Sequence, residues 1–386
     1  MMFKYALMAA GLGLFLLGCC DKSQAPYARE LHDAEEHFLR IQPARALEIL
    51  NRLSSKPDLP ERYFRLRYQV ELRAFQFSQS FKTILSWRKK SSKSHENVVR
   101  KVLRSFIRYC TELKEPGLRL EAIRALGELK DFDAREHLMG LFPGGSQSTR
   151  ITACYSMSLL GDEKRALPYL KDRSRFAGLK GRFLASLYLV QLHTKDLVPA
   201  YIDLLSDPDD AVRVLAIKVL GELGAKEARE RLQVIFKDSA SIHVKLLAAQ
   251  ALIRVGESSY KSYLLKKMDE KASSAAVKIL LSELGSIDHL DELKSTLDSL
   301  DVEARYSVLK VLMDMNEKEF VRTKLREMLQ SLLGNAFEKK MALELLSTFK
   351  NKEDWDLIQA QFFSPFQEVQ VMAARAMLEF LAETKN

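Results

Sequence analysis

His32 and His37 bracket the acidic run Asp33-Ala34-Glu35-Glu36, the residue types that a zinc hydrolase uses, but at the wrong interval. Two histidines chelate one ion from a helix when they stand four apart on one face; five apart, they diverge. The remaining histidines, at 95, 137, 193, 243 and 289, fall singly and form no ligand spacing. No glycine-rich phosphate loop and no nucleophile elbow is present, and Gly144-Gly145 after Pro143 reads as a turn. The sequence therefore predicts no catalytic residue, no metal set and no cofactor: a protein that is not an enzyme.

Chemistry of another kind is suggested by one polar position that recurs along the second part of the chain. It holds Arg119, Arg150, Arg182, Arg213, Lys245, Ser274, Arg305, Lys339 and Val371. Such a stripe either binds an anionic ligand or ties successive helices together, stems packed and heads bonded to carboxylates or free carbonyls. The elements that carry it follow from a period. Eleven residues after each stripe position stand Lys130, Gly161, His193, Gly224, Gly256, Gly285, Asn316, Lys350 and Ala382, at intervals of 29 to 34. One, four and eight residues before each of these the chain is apolar, for example Leu223, Leu220 and Ala216, which places the three on one helical face. A second helix follows each of the first eight marks, with an apolar or aromatic residue such as Leu138, Tyr169, Tyr201 or Leu232 eight positions on, Lys324 being the exception. A fixed period in this range marks a solenoid whose units bury their apolar faces only against neighbours. Gly161, Gly224, Gly256, Gly285 and Asn316 suit left-handed helix ends. Asp207-Pro208 and Ser364-Pro365-Phe366-Gln367 suit capped starts, the latter with a capping box.

The clearest unit, from Asp207-Pro208 through Val212-Arg213 to Leu220-Gly221-Glu222-Leu223-Gly224, resembles HEAT repeats of the type named after the phycobilisome lyases. The resemblance spans about 265 residues and implies an all-α α-solenoid, a superhelix of HEAT-like pairs with the second helices lining the concave face. It implies no particular activity, since function resides in sites grafted onto such folds. Phe236, Tyr260, Tyr263, Phe362 and Phe363 fall on second helices, as core residues or as outward contacts.

Ahead of the array, residues 27–115 read as an irregular helical lead-in of about five helices. Ala46, Ile49 and Leu50 match Phe81, Ile84 and Leu85, a weak likeness to tetratricopeptide pairs without their Trp, Gly and Tyr positions. Charge is divided unevenly: residues 19–115 carry 20 Lys and Arg against 12 Asp and Glu, whereas 116–386 carry 39 of each. A balanced array argues against a nucleic-acid groove along its length. The basic surplus gathers at Lys89, Lys90, Arg100, Arg104 and Arg108, the last three at intervals of four; it is a solvated face or a contact for anionic headgroups or an acidic partner.

The chain opens with Lys4 and an apolar run from Tyr5 to Gly18, too short to span a bilayer and suited to a signal peptide. It ends in Leu16-Leu17-Gly18-Cys19, which resembles the lipobox of bacterial lipoproteins. The resemblance implies cleavage after Gly18, lipid on the Cys19 thiol, and residues 19–26 as a tether. Cys20 rather than Asp21 follows Cys19, which in such lipoproteins favours the outer membrane over the inner; processing at Cys20 would reverse this. Cys110 and Cys154 lie in apolar helical patterns and read as buried thiols rather than a disulfide. The expectation from sequence is a lipid-anchored scaffold or adaptor of the bacterial envelope that binds proteins through an extended surface, with an envelope enzyme or accessory subunit as the alternative.

Overall fold

The computed structural model describes residues 27–383 apart from 92–94, 173–174, 177, 269, 271–273 and 332–333. The signal peptide, Gly18, Cys19 and the tether lie outside the described residues. All regular elements among the described residues are helical, and none of these helices is long and apolar enough to cross a membrane. The chain divides into two compact units, up to Ser105 and from Phe106 onward, so the boundary falls inside a helix ahead of Pro116, where the sequence predicts the array to begin.

The first unit contains α1 (Ala28–Leu39), α2 (Pro43–Leu53), α3 (Glu61–Arg73), α4 (Phe77–Lys90) and most of α5 (Glu96–Cys110). Helix α1 packs on α2, α2 on α3, and α3 on α4. The turns after α1 and α3 are copies of each other. Ile41 and Phe75 both take left-handed backbone, at φ 61° and 58°. Ile41 N–H donates to Phe38 and Phe75 N–H to Leu72; the next amides, of Gln42 and Gln76, reach back to His37 and Glu71. Positions 41 and 75 are one tetratricopeptide period apart, so the weak likeness in side chains has a counterpart in the backbone. Inside, the fully buried Glu71 accepts from Arg67 Nε at 2.8 Å and Thr83 Oγ1 at 2.7 Å, and burial still pushes its carboxyl above the ordinary value.

The second unit is an all-α solenoid of HEAT-like pairs. Its first helices are α6 (Pro116–Glu128), α8 (Gln147–Leu159), α10 (Leu179–Gln191), α12 (Asp210–Glu222), α14 (Ile242–Val255), α16 (Ser274–Glu283), α18 (Val302–Asp314), α20 (Ala336–Phe349) and α22 (Gln367–Glu383). Between them run the second helices α7 (Arg135–Leu141), α9 (Glu163–Lys171), α11 (Val198–Leu204), α13 (Arg229–Asp238), α15 (Lys261–Met268), α17 (Leu290–Thr296), α19 (Lys318–Gln330) and α21 (Trp355–Gln361). Eight of the nine period marks, from Lys130 to Lys350, adopt positive φ, and Lys130, His193, Asn316 and Lys350 do so without being glycine. An L-residue there is strained by about 1–2 kcal/mol. Lys130→Gly is therefore expected to raise stability by ~0.5–1 kcal/mol after glycine's larger unfolded-state entropy is subtracted, read as a higher denaturant midpoint.

Helix starts differ in detail from the sequence expectation. Helix α12 is capped by Asp209, whose side chain accepts from Ala211 N–H, while the buried Asp207 holds the preceding turn through Asp209 N–H. A reciprocal capping box is formed by Asn335 and Glu338, not at Ser364, whose hydroxyl accepts from Phe366 N–H. Close helix approach is set by small residues: a Cβ on Gly127 would lie 2.5 Å from Ser156 Cα, and one on Gly221 2.9 Å from Ala251 Cα.

Each even-numbered helix from α6 to α22 packs on the next, and α22 packs on α6, so the first helices form a closed circuit. Consecutive second helices pack on each other sparsely, α19 on α21 being the clearest case. The shorter spacing belongs to the inner circumference. The first helices, not the second, line the inside, which corrects the expectation taken from the resemblance. The second helices form an outer layer in which Phe236 meets Tyr260 and Tyr263 edge-on at 4.9 and 4.8 Å, partly buried against one another. Phe362 is wholly buried and meets Phe106 edge-on at 5.1 Å, a core contact.

Candidate functional site

At four of its seven basic members, Arg119, Arg182, Arg213 and Arg305, the recurring position has the geometry of a ladder. Arg119 donates from Nε to the carbonyl of Leu113 at 2.8 Å, and Arg213 from Nη1 to that of Asp207 at 2.7 Å. Arg305 reaches the carbonyl of Leu300 at 3.0 Å and Glu338 at 3.2 Å. Arg182 Nε stands 3.3 Å from the buried Asp207 carboxylate one repeat on. These heads are occupied by the turns they brace, which carbonyls at helix and turn ends would otherwise leave unsatisfied. Arg213→Ala should lower the unfolding free energy by about 1–3 kcal/mol. Unchanged stability together with lost partner binding would instead assign the stripe to a ligand.

The basic residues of the lead-in do not form one surface of equivalent groups. Lys89 and Lys90 are exposed at the end of α4, with Lys90 Nζ 5.6 Å from the centre of the Phe64 ring. Arg104 is exposed, while Arg100 is largely buried within 4.0 Å of Glu96; burial, with help from Arg104, lowers its pKa. Arg108 is committed elsewhere, its Nη2 donating to both oxygens of the buried Asp131 at 3.0 Å.

A different group of charges gathers on the inside of the helix circuit. Glu121, Arg124 and Glu128 share one face of α6. Arg124 Nη2 donates to Glu121 Oε1 at 2.5 Å, and its Nη1 lies 3.7 Å from Glu128 Oε1. Across the joint, Lys340 Nζ of α20 stands 3.1 Å from Glu121 Oε2, and Arg375 of α22 pairs with Glu128 and, at 2.8 Å, with Glu379. Tyr155 and Tyr188 stack beside them, ring centres 4.5 Å apart and nearly parallel. The network thus sits where the last repeats meet the first, and its side chains are mostly sequestered from water. Charges so placed are costly unless paired, and costlier still if one partner is lost.

The titration shifts show which pairings are strong. Burial pushes the Glu121 carboxyl up, but Arg124 and Lys340 outweigh it and hold it below its ordinary value. Burial raises Glu128 as well, and there Arg124 and Arg375 do not compensate, with Glu344 and Glu121 adding repulsion. Burial alone would depress Arg124, yet Glu121 and Glu128 hold its guanidinium charged well above the usual range. Tyr306 is also pushed up, first by burial and then by Glu344. A cavity of about 280 Å³ opens beside the network. Its wall includes Glu121, Arg124, Tyr188, Phe337, Lys340 and Glu344. Among the described residues no group of three or more His, Cys, Asp or Glu is placed to hold a metal ion. The arrangement can recognise charge and shape; it presents no nucleophile paired with a base.

Sequence reasoning singled out none of these residues. The available signal was Glu121, Arg124 and Glu128 at helical spacing on a first helix, a pattern shared with any solvated face.

Residues 182–253 and 198–272 match the family model of HEAT repeats. No curated protein matches the chain. Among solved structures, the complex of CpcE and CpcF of phycocyanin lyase from Nostoc sp. PCC7120 is similar at 18% identity and a TM-score of 0.40, over 64% of this chain and 94% of that one. Human deoxyhypusine hydroxylase in complex with glycerol is similar at 17% identity and a TM-score of 0.36, over 67% and 99%.

Proposed function

We propose that this HEAT-repeat protein is a lipid-anchored scaffold or adaptor that binds other proteins in a bacterial envelope. The observation that carries the binding reading is the array itself. Its apolar residues are spent on packing between repeats, and what remains for function is a long surface together with a charged interior. The anchor rests on the run from Tyr5 to Gly18 and on Leu16-Leu17-Gly18-Cys19. Lipid on Cys19 would hold the array at the membrane through residues 19–26, and Lys89, Lys90 and Arg104 would add attraction to anionic headgroups or an acidic partner. Cys20 in the position after Cys19 favours the outer membrane, periplasmic side.

Cys19→Ser is expected to abolish acyl labelling and leave an uncleaved or soluble precursor. Full labelling of that variant would remove the anchor from Cys19 or move it to Cys20. Co-purification from a detergent extract tests the scaffold: a stable protein partner is the expected result. The cavity beside Glu121 and Arg124 favours a second reading, an envelope enzyme or an accessory subunit of one, and turnover by the isolated protein would establish it.

A further inference from the structure

Within the interior network every cation is matched, but the carboxylates are not. Arg124, Lys340 and Arg375 are taken up by Glu121, Glu128 and Glu379. Glu344 lines the same cavity, and no described cation stands within ion-pair distance of it. Lys340, one helical turn before it, points its charge at Glu121. Lys310 lies over the Tyr306 ring, 6.0 Å from its centre, and does not pair with Glu344. Around the space itself, which is large enough for one side chain, Glu121 is paired with both Arg124 and Lys340, while Glu344 has no ion pair among the described residues.

The rest of the wall has the character that an alkyl stem requires. Phe337 is 50% exposed in the first turn of α20, and Leu187, Met341, Met372 and the Tyr188 ring continue the apolar lining. An exposed phenylalanine beside a carboxylate without an ion pair on a single helix face leaves apolar area and negative charge together, the charge drawn toward Arg124 only from beyond ion-pair distance. A guanidinium or ammonium on a three- or four-carbon stem satisfies both, its stem against the ring and thioethers and its head on the carboxylate.

We propose that this cavity receives an arginine or lysine side chain presented by a protein partner, with Glu344 as its counter-ion and Phe337 as its apolar wall. The proposal rests on the scaffold reading above and supplies the chemistry of the partner's anchor. Cationic anchors of this kind, seated in a pocket and desolvated, dominate the energetics of many protein interfaces.

Binding of acetyl-Gly-Arg-Gly-amide to the full chain in detergent, followed by calorimetry beside the same peptide with citrulline for arginine, tests it. The arginine peptide should bind and the citrulline peptide at least tenfold more weakly. Glu344→Gln should weaken the arginine peptide by a similar factor without moving the thermal midpoint, and Phe337→Ala severalfold. Agmatine should compete with the peptide. Equal binding of both peptides, undiminished binding to Glu344→Gln, or binding of agmatine without the peptide would each overturn the assignment. Such results would leave the scaffold reading standing if a partner still co-purifies, so the two fail separately.

Discussion

Replacing Arg124 by Met should destabilise the second unit by about 3–5 kcal/mol at neutral pH, the range expected when one member of a buried charge network is removed. Methionine keeps much of the stem's volume, so the loss reports the charge. Glu121 would keep Lys340 and Glu128 would keep Arg375, but both carboxylates, with Glu344 nearby, would face each other without the guanidinium between them. The pH dependence follows from the shifts. In the parent chain Arg124 and Lys340 hold Glu121 below its ordinary carboxylate value, so its contribution is complete above the unfolded value and is lost as pH falls through the folded one. In the variant the carboxylates lose their strongest cation and their folded values rise, so the folded state takes up protons more readily than the unfolded chain. The gap between parent and variant should therefore narrow on acidification. Denaturant unfolding of the full chain at several pH values measures it; a gap below about 1 kcal/mol that ignores pH would mean the network is effectively solvated.

Deleting the repeat from Asp207 to Asp238 should cost the second unit its cooperative unfolding. In an open solenoid such a deletion disturbs two interfaces and leaves the remainder folded, which is what the period alone predicts. The closed circuit changes that outcome. Without α12 and α13, helix α10 must meet α14 directly, and the remaining first helices must either close at a sharper angle or part where α22 lies on α6. Parting there would strip Glu128 of Arg375 and Glu121 of Lys340. A fall in the thermal midpoint of about 10 °C or more, with a broadened transition, is expected if closure contributes several kcal/mol. A midpoint within a few degrees of the parent would show that the circuit closes without energetic consequence.

What could be read beforehand was whatever repeats. Leu220, Leu223 and Gly224 have equivalents in nearly every unit, and eight of nine period marks take positive φ, including Lys130, His193 and Lys350, which their residue types alone did not announce. Asn335 and Glu338 form a capping box without the proline that marks the helix starts at Asp207-Pro208 and Ser364-Pro365. Closure was not legible because it depends on small rotations summed over the whole array, and no single residue encodes the sum. For the same reason the interior site stayed hidden. Arg124 and Met372 touch across a separation of 248 positions, and only the completed circuit brings them together.

The two described cysteines carry a consequence for how the protein fails. Cys110 and Cys154 are buried and unbridged, and burial pushes both thiols up to about 12. Thiolate is the reactive form, so in the folded protein these groups are chemically silent even where the surroundings oxidise thiols. Unfolding returns both to ordinary acidity and to solvent. In an oxidising compartment the opened chain can then cross-link, within itself or to another copy, before it refolds. Such a chain has a lifetime set by how often it opens, not by how favourable folding is once it has begun.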